Sequence, residues 1–330
     1  AMPRRLRPLV KMFDRLAVGT LILTTPVGRQ LQFGDGSAPR ADLGLHSWQA
    51  LRTILRNGDI GLAECYRKGI ISTTRLTDLM RLALRNQEAL REALLGNPLL
   101  RFGYRLRHLL RRNSRRGSSR NIQAHYDLGN DFYSLWLDSS MTYSSARFSD
   151  GARAADLLHA QQQKYRRMVE LSGAAAGDEI LEIGCGWGGL AEYAATRNIR
   201  VRGVTLSPGQ LAYARERLAG AGLGALATFE LQDYRDLHGS YDHIVSIEML
   251  EAVGENYWHA YFKKLRSLLR PGGRAAIQTI VIDDAHFERY RRRTDFIQQY
   301  IFPGGMLPSP GRLAALAEAH GFRIAQSESF

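Results

Sequence analysis

The chain has 330 residues, of which 45% are apolar and 23% are charged. This composition is typical of a globular protein with a sizeable core, and the length favours two domains over one. Lys and Arg number 45 against 32 Asp and Glu, so the formal net charge of +13 indicates an anionic partner: nucleic acid, an anionic membrane surface or an acidic small molecule. No stretch of roughly 18 to 20 apolar residues occurs, and the two cysteines, Cys65 and Cys185, lie far apart. We therefore expect no membrane span, no disulfide framework and no metal site, and a reducing, cytoplasmic location.

The first third of the chain predicts a small, mainly helical domain. Residues 18–34 are rich in Thr, Val, Ile and Leu, a pattern that favours a short hairpin. From 48 to about 110, apolar residues recur every three or four positions, with breaks at Asn57-Gly58 and Gly69, which predicts several short amphipathic helices. Together with the basic linker that follows, residues 1–117 form this domain, and we expect it to contact lipid.

An arginine-rich segment marks the domain boundary. Residues 101–120 contain eight arginines and no Asp or Glu, and the segment ends in Ser and Gly residues typical of a hinge. Because a basic residue near an anionic membrane contributes about 1 kcal/mol, the segment is a candidate for phosphate contact. The alternative is a solvated helix face without a partner. A second basic cluster, Arg289–Arg293, allows the same two interpretations.

From Ala175 onward, strand and helix patterns alternate. The predicted strands are 179–183, 200–206, 227–231, 243–248 and 274–280, and the predicted helices are 190–196, 209–219 and 257–269. Short connections between such elements require parallel strands joined by crossover helices, so the predicted fold class is α/β, with a Rossmann-like, doubly wound sheet. Residues 118–330 are assigned to this second domain. We expect its ligand beyond the carboxyl ends of the strands.

A glycine cluster follows the first of these strands. Residues 182–189 read EIGCGWGG, and glycines at a strand-to-helix turn let backbone amides approach a ligand closely. A dinucleotide-binding domain begins in a similar way, but it would carry an acidic residue at the end of the second strand, where this chain has GVTLS. Asp233, after the third strand, is placed to accept a hydrogen bond from the exocyclic amine of an adenine.

Several motifs together carry a family resemblance. EIGCGWGG, GVTLSPGQ and LQDY resemble the motifs of class I methyltransferases that use S-adenosylmethionine. The segment 121–133, MTYSS at 141–145 and YIFPGGMLPS at 300–309 resemble the cyclopropane-fatty-acyl-phospholipid synthases and the related mycolic acid cyclopropane synthases. The resemblance covers roughly residues 120–310 and implies a Rossmann-like class I methyltransferase fold. The chain ends at Phe330, before the C-terminal helices of that family would follow, so we expect these helices to be absent.

The resemblance implies a set of S-adenosylmethionine contacts. The MTYSS segment would contact the methionine end, the glycine turn the middle, and the residues after the second and third strands the ribose and the adenine. The implied cofactor-binding residues are Tyr143, Ser144, Gly184, Cys185, Gly186, Gly188, Thr205, Leu206, Ser207, Gln210, Asp233 and Tyr234. Tyr126 and Asn130 would cover the pocket, and Tyr133 and Trp136 would join that cover or fill the core.

The chemistry of the implied reaction depends on a base. Methyl transfer to an alkene leaves a carbocation; proton loss from the new methyl closes a cyclopropane, proton loss from a neighbouring carbon leaves a methylene or another alkene, and hydride addition leaves a methyl branch. The resemblance implies a bicarbonate base held by a cysteine region, a glutamate, a histidine and a later tyrosine.

This sequence keeps only part of that set. The glutamate is Glu251, but Ser145 and Gln278 stand at the cysteine and histidine positions, and the chain ends before the tyrosine. We predict Glu251, Ser145 and Gln278 as the catalytic residues. Bicarbonate binding stays open, and Glu251 is either the base itself or a structural carboxylate paired with an arginine. Glu248 is expected to shape the cofactor or acyl pocket.

The sequence thus predicts an S-adenosylmethionine-dependent C-methyltransferase acting on the double bond of unsaturated fatty acyl chains of membrane phospholipids. Two alternatives stay open: a methyl- or methylene-branching fatty acyl methyltransferase without ring closure, and a non-catalytic lipid-binding partner subunit. A nucleic-acid methyltransferase would account for the charge, but its target-base motif, such as Asn/Asp-Pro-Pro-Tyr, does not occur. The expected location is cytoplasmic and peripherally membrane-associated, with phospholipid and an anionic membrane surface as partners and a homodimer or a partner subunit left open.

Overall fold

The computed structural model describes residues 10–90, 117, 129–149, 153 and 156–330. Apart from Gly117, the arginine-rich segment 101–120 lies outside the described residues, as does Tyr126. By their contacts the residues divide into a first unit, Ala1–Leu110 with Arg293–Tyr300, and a second unit, Arg111–Arg292 with Ile301–Phe330. The sequence predicted a single domain boundary, after residue 117. The contacts also assign Arg293–Tyr300, from the later part of the chain, to the first unit.

The first unit contains a four-stranded sheet in the order β2-β1-β3-β4. Its strands are β1 (Thr20–Thr24), β2 (Gln30–Gly34), β3 (Arg40–Leu45) and β4 (Ile71–Ser72). The predicted hairpin is confirmed as β1 and β2, which pair antiparallel; β3 pairs parallel to β1 and antiparallel to β4. Strands β3 and β4 were not predicted, because β3 contains Asp and Gly, which are depleted in strands, and β4 has only two residues.

Among the described residues, the first unit also contains the α-helices α1 (Trp48–Asn57), α2 (Asp59–Arg67) and α3 (Leu76–Arg85). Both predicted breaks are confirmed, since Gly58 between α1 and α2 and Gly69 after α2 have positive φ angles of 61° and 64°. The Ser47 hydroxyl caps α1 by accepting the Gln49 N–H at 3.1 Å. Alternate residues of the strands and one face of each helix form the core, which includes Leu21, Leu23, Leu43, Leu45, Leu51 and Leu82.

The segment Arg293–Tyr300 joins the first unit through α2. The Phe296 N–H donates to Asp59 at 3.1 Å, and the Tyr300 hydroxyl donates to Glu64 at 2.5 Å. A segment more than 180 residues further along the chain therefore completes this unit. Composition along the sequence gives no sign of this.

The second unit is built on a five-stranded parallel sheet in the order β7-β6-β5-β8-β9. The strands are β5 (Glu179–Ile183), β6 (Arg200–Thr205), β7 (Ala227–Leu231), β8 (Tyr241–Ile247) and β9 (Leu269–Gln278). The helices are α4 (Gly129–Ser134), α5 (Leu157–Ser172), α6 (Gly189–Ala195), α7 (Pro208–Gly220), α8 (Leu250–Val253), α9 (Trp258–Leu268), α10 (Asp284–Arg291) and α11 (Pro310–Ala319). The predicted α/β, Rossmann-like fold is confirmed, and β9 differs most from its predicted bounds. In the part of the chain that the structure describes, no helix has the length and apolar content that a bilayer crossing requires.

Both faces of this sheet are covered. Leu181 of β5 packs in one cluster with Trp258 and Tyr261, and Ile180 packs in another with Tyr165 and Met168. Burial on both faces accounts for the almost continuous apolar run of β5. The strand order reverses beside β5, between β6 and β8, which places a crevice for ligands beyond the carboxyl ends of these strands.

Candidate active site at the carboxyl ends of the central strands

The glycine turn connects β5 to α6. Gly184, Gly186 and Gly188 have positive φ angles of 87°, 52° and 81°, a region that side chains disfavour. The N–H groups of Gly184 and Cys185 both donate to the Val204 carbonyl of β6 at 3.0 Å, so the turn is fixed to the sheet. A Cβ atom at Gly186 would meet no atom within 4 Å, which leaves the backbone open to a ligand on that side.

A cavity of about 1220 Å³, including the space at its open mouth, lies beside this turn. Most of the predicted cofactor-binding residues line it: Tyr143, Ser144, Gly184, Cys185, Gly186, Thr205, Leu206, Gln210 and Tyr234. The tertiary structure therefore brings together residues from three strand ends and from the segment before the sheet. This is the arrangement that the sequence motifs predicted.

Three predicted cofactor residues do not line the cavity. Gly188 faces Ala214, whose Cβ would lie 3.1 Å from an added Cβ, and the Ser207 hydroxyl caps α7 by accepting the Gln210 N–H at 3.3 Å. The carboxylate of Asp233 accepts hydrogen bonds from the side chain of Arg235 at 2.8 and 2.5 Å. The adenine contact expected of Asp233 stays a prediction, and its carboxylate already has a cationic partner.

Unpaired polar atoms in the cavity wall indicate what the cavity binds. Glu182 Oε2, Gln232 Oε1 and the Tyr234 hydroxyl are buried without a hydrogen-bond partner among the described residues, and all three residues line the cavity. Buried polar groups are nearly always satisfied, so such a cluster marks the place of a ligand with matching groups. S-adenosylmethionine carries an ammonium group, a sulfonium and an adenine amine, which suit a carboxylate and amide or hydroxyl oxygens. Together with the open glycine turn, these residues fit that cofactor.

Glu182 was not assigned a role by the sequence, although a charged residue in a buried strand is a recognisable signal. Its side chain is 3% exposed, and burial raises the pKa of its carboxyl well above the usual value, with Lys164 acting in the opposite direction. A cationic ligand would relieve this cost.

An aromatic cluster contributes Tyr143, Trp187 and Phe302 to the cavity lining. Tyr133 packs 5.1 Å from Trp187 and 5.5 Å from Tyr143, and Tyr143 stacks on Phe302 at 6.4 Å. Asn130 accepts a hydrogen bond from the Trp187 indole N–H at 2.7 Å. Tyr133 is buried, and burial raises the pKa of its hydroxyl to about 12, whereas Trp136 is 48% exposed. Phe302, which lies in the YIFPGG motif, was not predicted as part of the site.

A polar cluster at the ends of β8 and β9 contains two of the three predicted catalytic residues. Ser145 donates to Glu248 Oε1 through its backbone N–H at 2.8 Å and through its hydroxyl at 2.7 Å. The Gln278 side-chain amide donates to the same oxygen at 2.9 Å. Glu248 lines the cavity, so the structure gathers Ser145 and Gln278 around Glu248.

The third predicted catalytic residue, Glu251, lies near this cluster, within electrostatic range of Glu248, but has different hydrogen-bond partners. Its Oε1 accepts a hydrogen bond from the Thr279 hydroxyl at 2.8 Å and another from the Ile280 N–H. Glu251 is not among the cavity-lining residues, and within the described residues its carboxylate pairs with no arginine. Burial raises the pKa of this carboxyl to about 7. Its predicted role as base is not tested by these contacts.

Lys164 is a buried cation that the sequence analysis missed. It lies on α5, is 1% exposed, and its Nζ donates to the Ser144 hydroxyl at 2.6 Å. Burial lowers the pKa of its ammonium group to about 7, although Glu248, Asp138 and Glu182 act in the opposite direction. The signal was present: Lys164 occupies the stripe of α5 that also carries Ala160 and Met168.

Comparison with known proteins identifies the family. Residues 113–330 match the family described as mycolic acid cyclopropane synthetase. The chain belongs to this family. It is similar to tuberculostearic acid methyltransferase UfaA1 of Mycobacterium tuberculosis, with 40% identity over 313 residues that cover 91% of this chain and 73% of that protein. It is also similar to the cyclopropane-fatty-acyl-phospholipid synthase of Escherichia coli K12, with 36% identity over 302 residues that cover 87% and 72%.

Solved structures agree with this membership. The mycolic acid cyclopropane synthase CmaA1 complexed with SAH and CTAB has a TM-score of 0.56 and 30% sequence identity, over 63% of this chain and 76% of that chain. The cyclopropane synthase MmaA2 of Mycobacterium tuberculosis has a TM-score of 0.57 at 28% identity, with the same coverage.

Membership in the mycolic acid cyclopropane synthetase family confirms the predicted resemblance, enzyme class and cofactor. The protein is an S-adenosylmethionine-dependent methyltransferase of the cyclopropane synthase and fatty acid methyltransferase family. The alternative of a non-catalytic subunit is therefore not retained.

The residues at this site fit the bicarbonate that the resemblance implies less well than they fit S-adenosylmethionine. The hydrogen-bond donors of Ser145 and Gln278, which stand at two of the implied positions, converge on the Glu248 carboxylate. A bicarbonate at this point would have to displace a side-chain carboxylate from the same donors.

Proposed function

We propose that this enzyme transfers the methyl group of S-adenosylmethionine to a double-bond carbon in an unsaturated fatty acyl chain of a membrane phospholipid. One observation carries the proposal: a single cavity joins a polar wall, formed by the glycine turn and Glu182, to an apolar wall that includes Met249, Phe302 and Pro303. The polar wall suits the cofactor, and the apolar wall suits a hydrocarbon chain.

The reaction requires the methyl group and the double bond to be aligned and water to be excluded. S-adenosylmethionine supplies an electrophilic methyl group, and an isolated alkene is a weak nucleophile, so the protein must hold the two carbons in contact. Tyr143 and Phe302 line the cavity with stacked rings, and Tyr143 packs against the buried Tyr133, so we expect these aromatic side chains to limit access of water. The glycine turn and Glu182, which line the same cavity, would fix the position of the cofactor.

A second candidate is methylene or methyl branching of the acyl chain without ring closure. Two observations favour it: the similarity to a protein named tuberculostearic acid methyltransferase over 91% of this chain, and the replacement of the implied Cys and His by Ser145 and Gln278. All of these products share the first step. Ring closure and methylene formation then differ in the carbon that loses a proton, whereas a methyl branch requires a hydride from a separate reductant.

Contact with a phospholipid surface is part of the proposal and is supported by charge. The eight arginines of segment 101–120 favour an anionic surface. In the second basic cluster, Arg291 pairs with Glu255 at 2.6 Å and Arg292 pairs with Glu288 at 3.5 Å, so this cluster is partly neutralised by acids. The arginine-rich segment is therefore the stronger candidate for head-group contact.

The test is mass spectrometry of phospholipids from cells that express the enzyme and supply oleoyl chains. A cyclopropane or methylene product gains one CH₂ unit on the unsaturated chain, and a methyl-branched product gains CH₂ and two further hydrogens. Mild catalytic hydrogenation then separates the candidates, because it saturates a methylene branch and leaves a cyclopropane intact. Cells that express Gly186→Val, which obstructs the cavity, serve as the control. Unmodified lipids in both cultures would refute the proposal.

Purified enzyme tests the substrate class. With S-adenosylmethionine carrying a labelled methyl group, label should enter vesicles of dioleoyl phosphatidylglycerol and not vesicles of dipalmitoyl phosphatidylglycerol, which lack double bonds. Label that enters oleic acid or an oleoyl thioester, but not the phospholipid, would contradict the phospholipid assignment.

A further inference from the structure

Glu248 has a backbone conformation that side chains rarely adopt. Its φ is 48°, in the left-handed region, and it directly follows β8. A non-glycine residue is strained there and persists only when the surroundings hold it, and such residues cluster at functional sites. The Glu248 N–H donates to the Gln278 carbonyl at 2.8 Å, so the strained residue is fixed to the end of β9.

Only one oxygen of the Glu248 carboxylate accepts hydrogen bonds from the surrounding residues. All three donors, the Ser145 N–H, the Ser145 hydroxyl and the Gln278 amide, contact Oε1. Within the described residues, Oε2 has no hydrogen-bond partner, and it is not among the buried unpaired atoms. Because Glu248 lines the cavity, this arrangement leaves one carboxylate oxygen available to a substrate.

The surroundings of Glu248 differ from those of Glu251. Glu248 lies within electrostatic range of Lys164, Tyr143 and Glu251, of which Lys164 is the basic residue. Glu251 also has one oxygen without a hydrogen-bond partner among the described residues, the buried Oε2, and its Oε1 accepts from Thr279 and Ile280. Glu248 lines the cavity and Glu251 does not, and this difference separates the two carboxylates.

We infer that Glu248, and not a bound bicarbonate or Glu251, is the base that removes the proton from the methylated acyl chain. The inference rests on the proposed function. It also accounts for Ser145 and Gln278: these donors stand where the resemblance implies anion-binding residues, and they hold the carboxylate of the protein itself. The side-chain carboxylate of Glu248 thus takes the place of the bicarbonate that the resemblance implies.

The step balances without a further reactant. The alkene π pair forms the new C–C bond to the methyl carbon, and the C–S bond breaks with its electron pair remaining on sulfur. The resulting carbocation then loses a proton to Glu248 Oε2. The pair of the broken C–H bond closes either a ring bond or a new C=C bond, and the products are the neutral lipid, S-adenosylhomocysteine and the protonated Glu248 carboxyl.

The left-handed φ provides a sharp test, because glycine fits that conformation and removes the carboxylate. In Glu248→Gly, the Ser145 and Gln278 donors lose their partner and can bind a small carboxylate. Glu248→Gln is the matched variant, since it fills the same space and offers no base.

Methyl transfer to vesicles of dioleoyl phosphatidylglycerol is measured in buffer freed of carbon dioxide, with and without added formate or bicarbonate. We expect wild-type turnover to be unaffected by either anion. Product formation should fall about 100-fold in both Glu248 variants, the lower part of the range for general-base catalysis. Formate or bicarbonate should restore Glu248→Gly and not Glu248→Gln. Affinity for S-adenosylhomocysteine, measured by calorimetry, should be retained in both, which shows that they fold.

Three outcomes would overturn the inference: a wild-type enzyme that requires added bicarbonate, full turnover in Glu248→Gln, or a larger loss in Glu251→Gln than in Glu248→Gln. A wild-type enzyme that methylates no unsaturated lipid would overturn the proposed function and this inference together. An active wild type with an equally active Glu248→Gln overturns this inference alone.

Discussion

Replacement of Gly186 by alanine separates cofactor binding from folding. The φ of Gly186 is 52°, and an L-residue enters the left-handed region at a cost of about 1–2 kcal/mol. No atom lies within 4 Å of the added Cβ, so packing adds no penalty. Alanine also lowers the conformational entropy of the unfolded chain, which by itself stabilises the folded state by about 0.4–1 kcal/mol. Gly186→Ala should therefore lose only about 1 kcal/mol of unfolding free energy. For a chain of this length that lowers Tm by about 2 °C.

The same methyl group should weaken cofactor binding by more than it lowers the unfolding free energy. Gly186 lines the cavity, so the methyl enters space that the ligand needs. Inserting a methyl into a fitted contact costs about 1–3 kcal/mol, which corresponds to an affinity about 5- to 150-fold lower. Calorimetric titration with S-adenosylhomocysteine measures the affinity, and differential scanning calorimetry measures Tm.

Gly222→Ala is the matched control. Gly222 also has a left-handed φ, 72°, and no atom within 4 Å of its Cβ position, but it does not line the cavity. It should show the same small loss of Tm and bind the ligand with wild-type affinity. The reasoning is refuted if Gly186→Ala binds as tightly as the wild type, or if Gly222→Ala weakens binding equally.

Three further substitutions test other parts of the structure. Glu182→Gln should weaken S-adenosylhomocysteine about 10- to 100-fold in calorimetry, the value of a charge-assisted hydrogen bond. It should also be more stable than the wild type at pH 8, because the raised pKa of the buried Glu182 carboxyl makes wild-type stability fall as the pH rises above about 4.5, the unfolded value. The pKa of Lys164 is lowered to about 7, so between pH 7 and pH 10 the unfolded chain binds more protons and wild-type stability should rise with pH; Lys164→Met should lack that rise in urea unfolding. Asn86→Ala should cost about 3 kcal/mol in urea unfolding, because the buried Asn86 side chain accepts the N–H groups of Ala17 and Val18 at 2.8 and 3.1 Å and donates to two carbonyls. A loss below 1 kcal/mol would show that water replaces these hydrogen bonds.

Local patterns accounted for most of the second unit. The strand 179–183 was predicted with the bounds that the structure gives, and the glycine turn after it was predicted to border a ligand. These features depend on short-range physics: a buried parallel strand requires an apolar run, and a tight strand-to-helix turn requires glycine. The hairpin and the helix break at Gly58 follow from the same kind of local preference.

The first unit shows where local patterns were insufficient. Strand β3 is held by pairing with β1 and β4, partners 20 to 30 residues away, and its own composition favours a loop. The segment Arg293–Tyr300 contributes to this unit from the far end of the chain. Neither feature has a signal within a short window of sequence.

The sequence by itself determined the parallel sheet and the glycine turn, because each depends on neighbouring residues whose conformational preferences act locally. The cofactor followed from the resemblance of the combined motifs to a methyltransferase family. Only the tertiary structure decided which of two glutamates three positions apart faces the cavity. Glu248 and Glu251 both follow β8, but the left-handed turn at Glu248 and the approach of Ser145 and Gln278 direct one carboxylate to the cavity wall, while Thr279 and Ile280 hold the other. That choice depends on contacts between residues more than 100 positions apart in the chain, such as Ser145 with Glu248, and no local pattern records them.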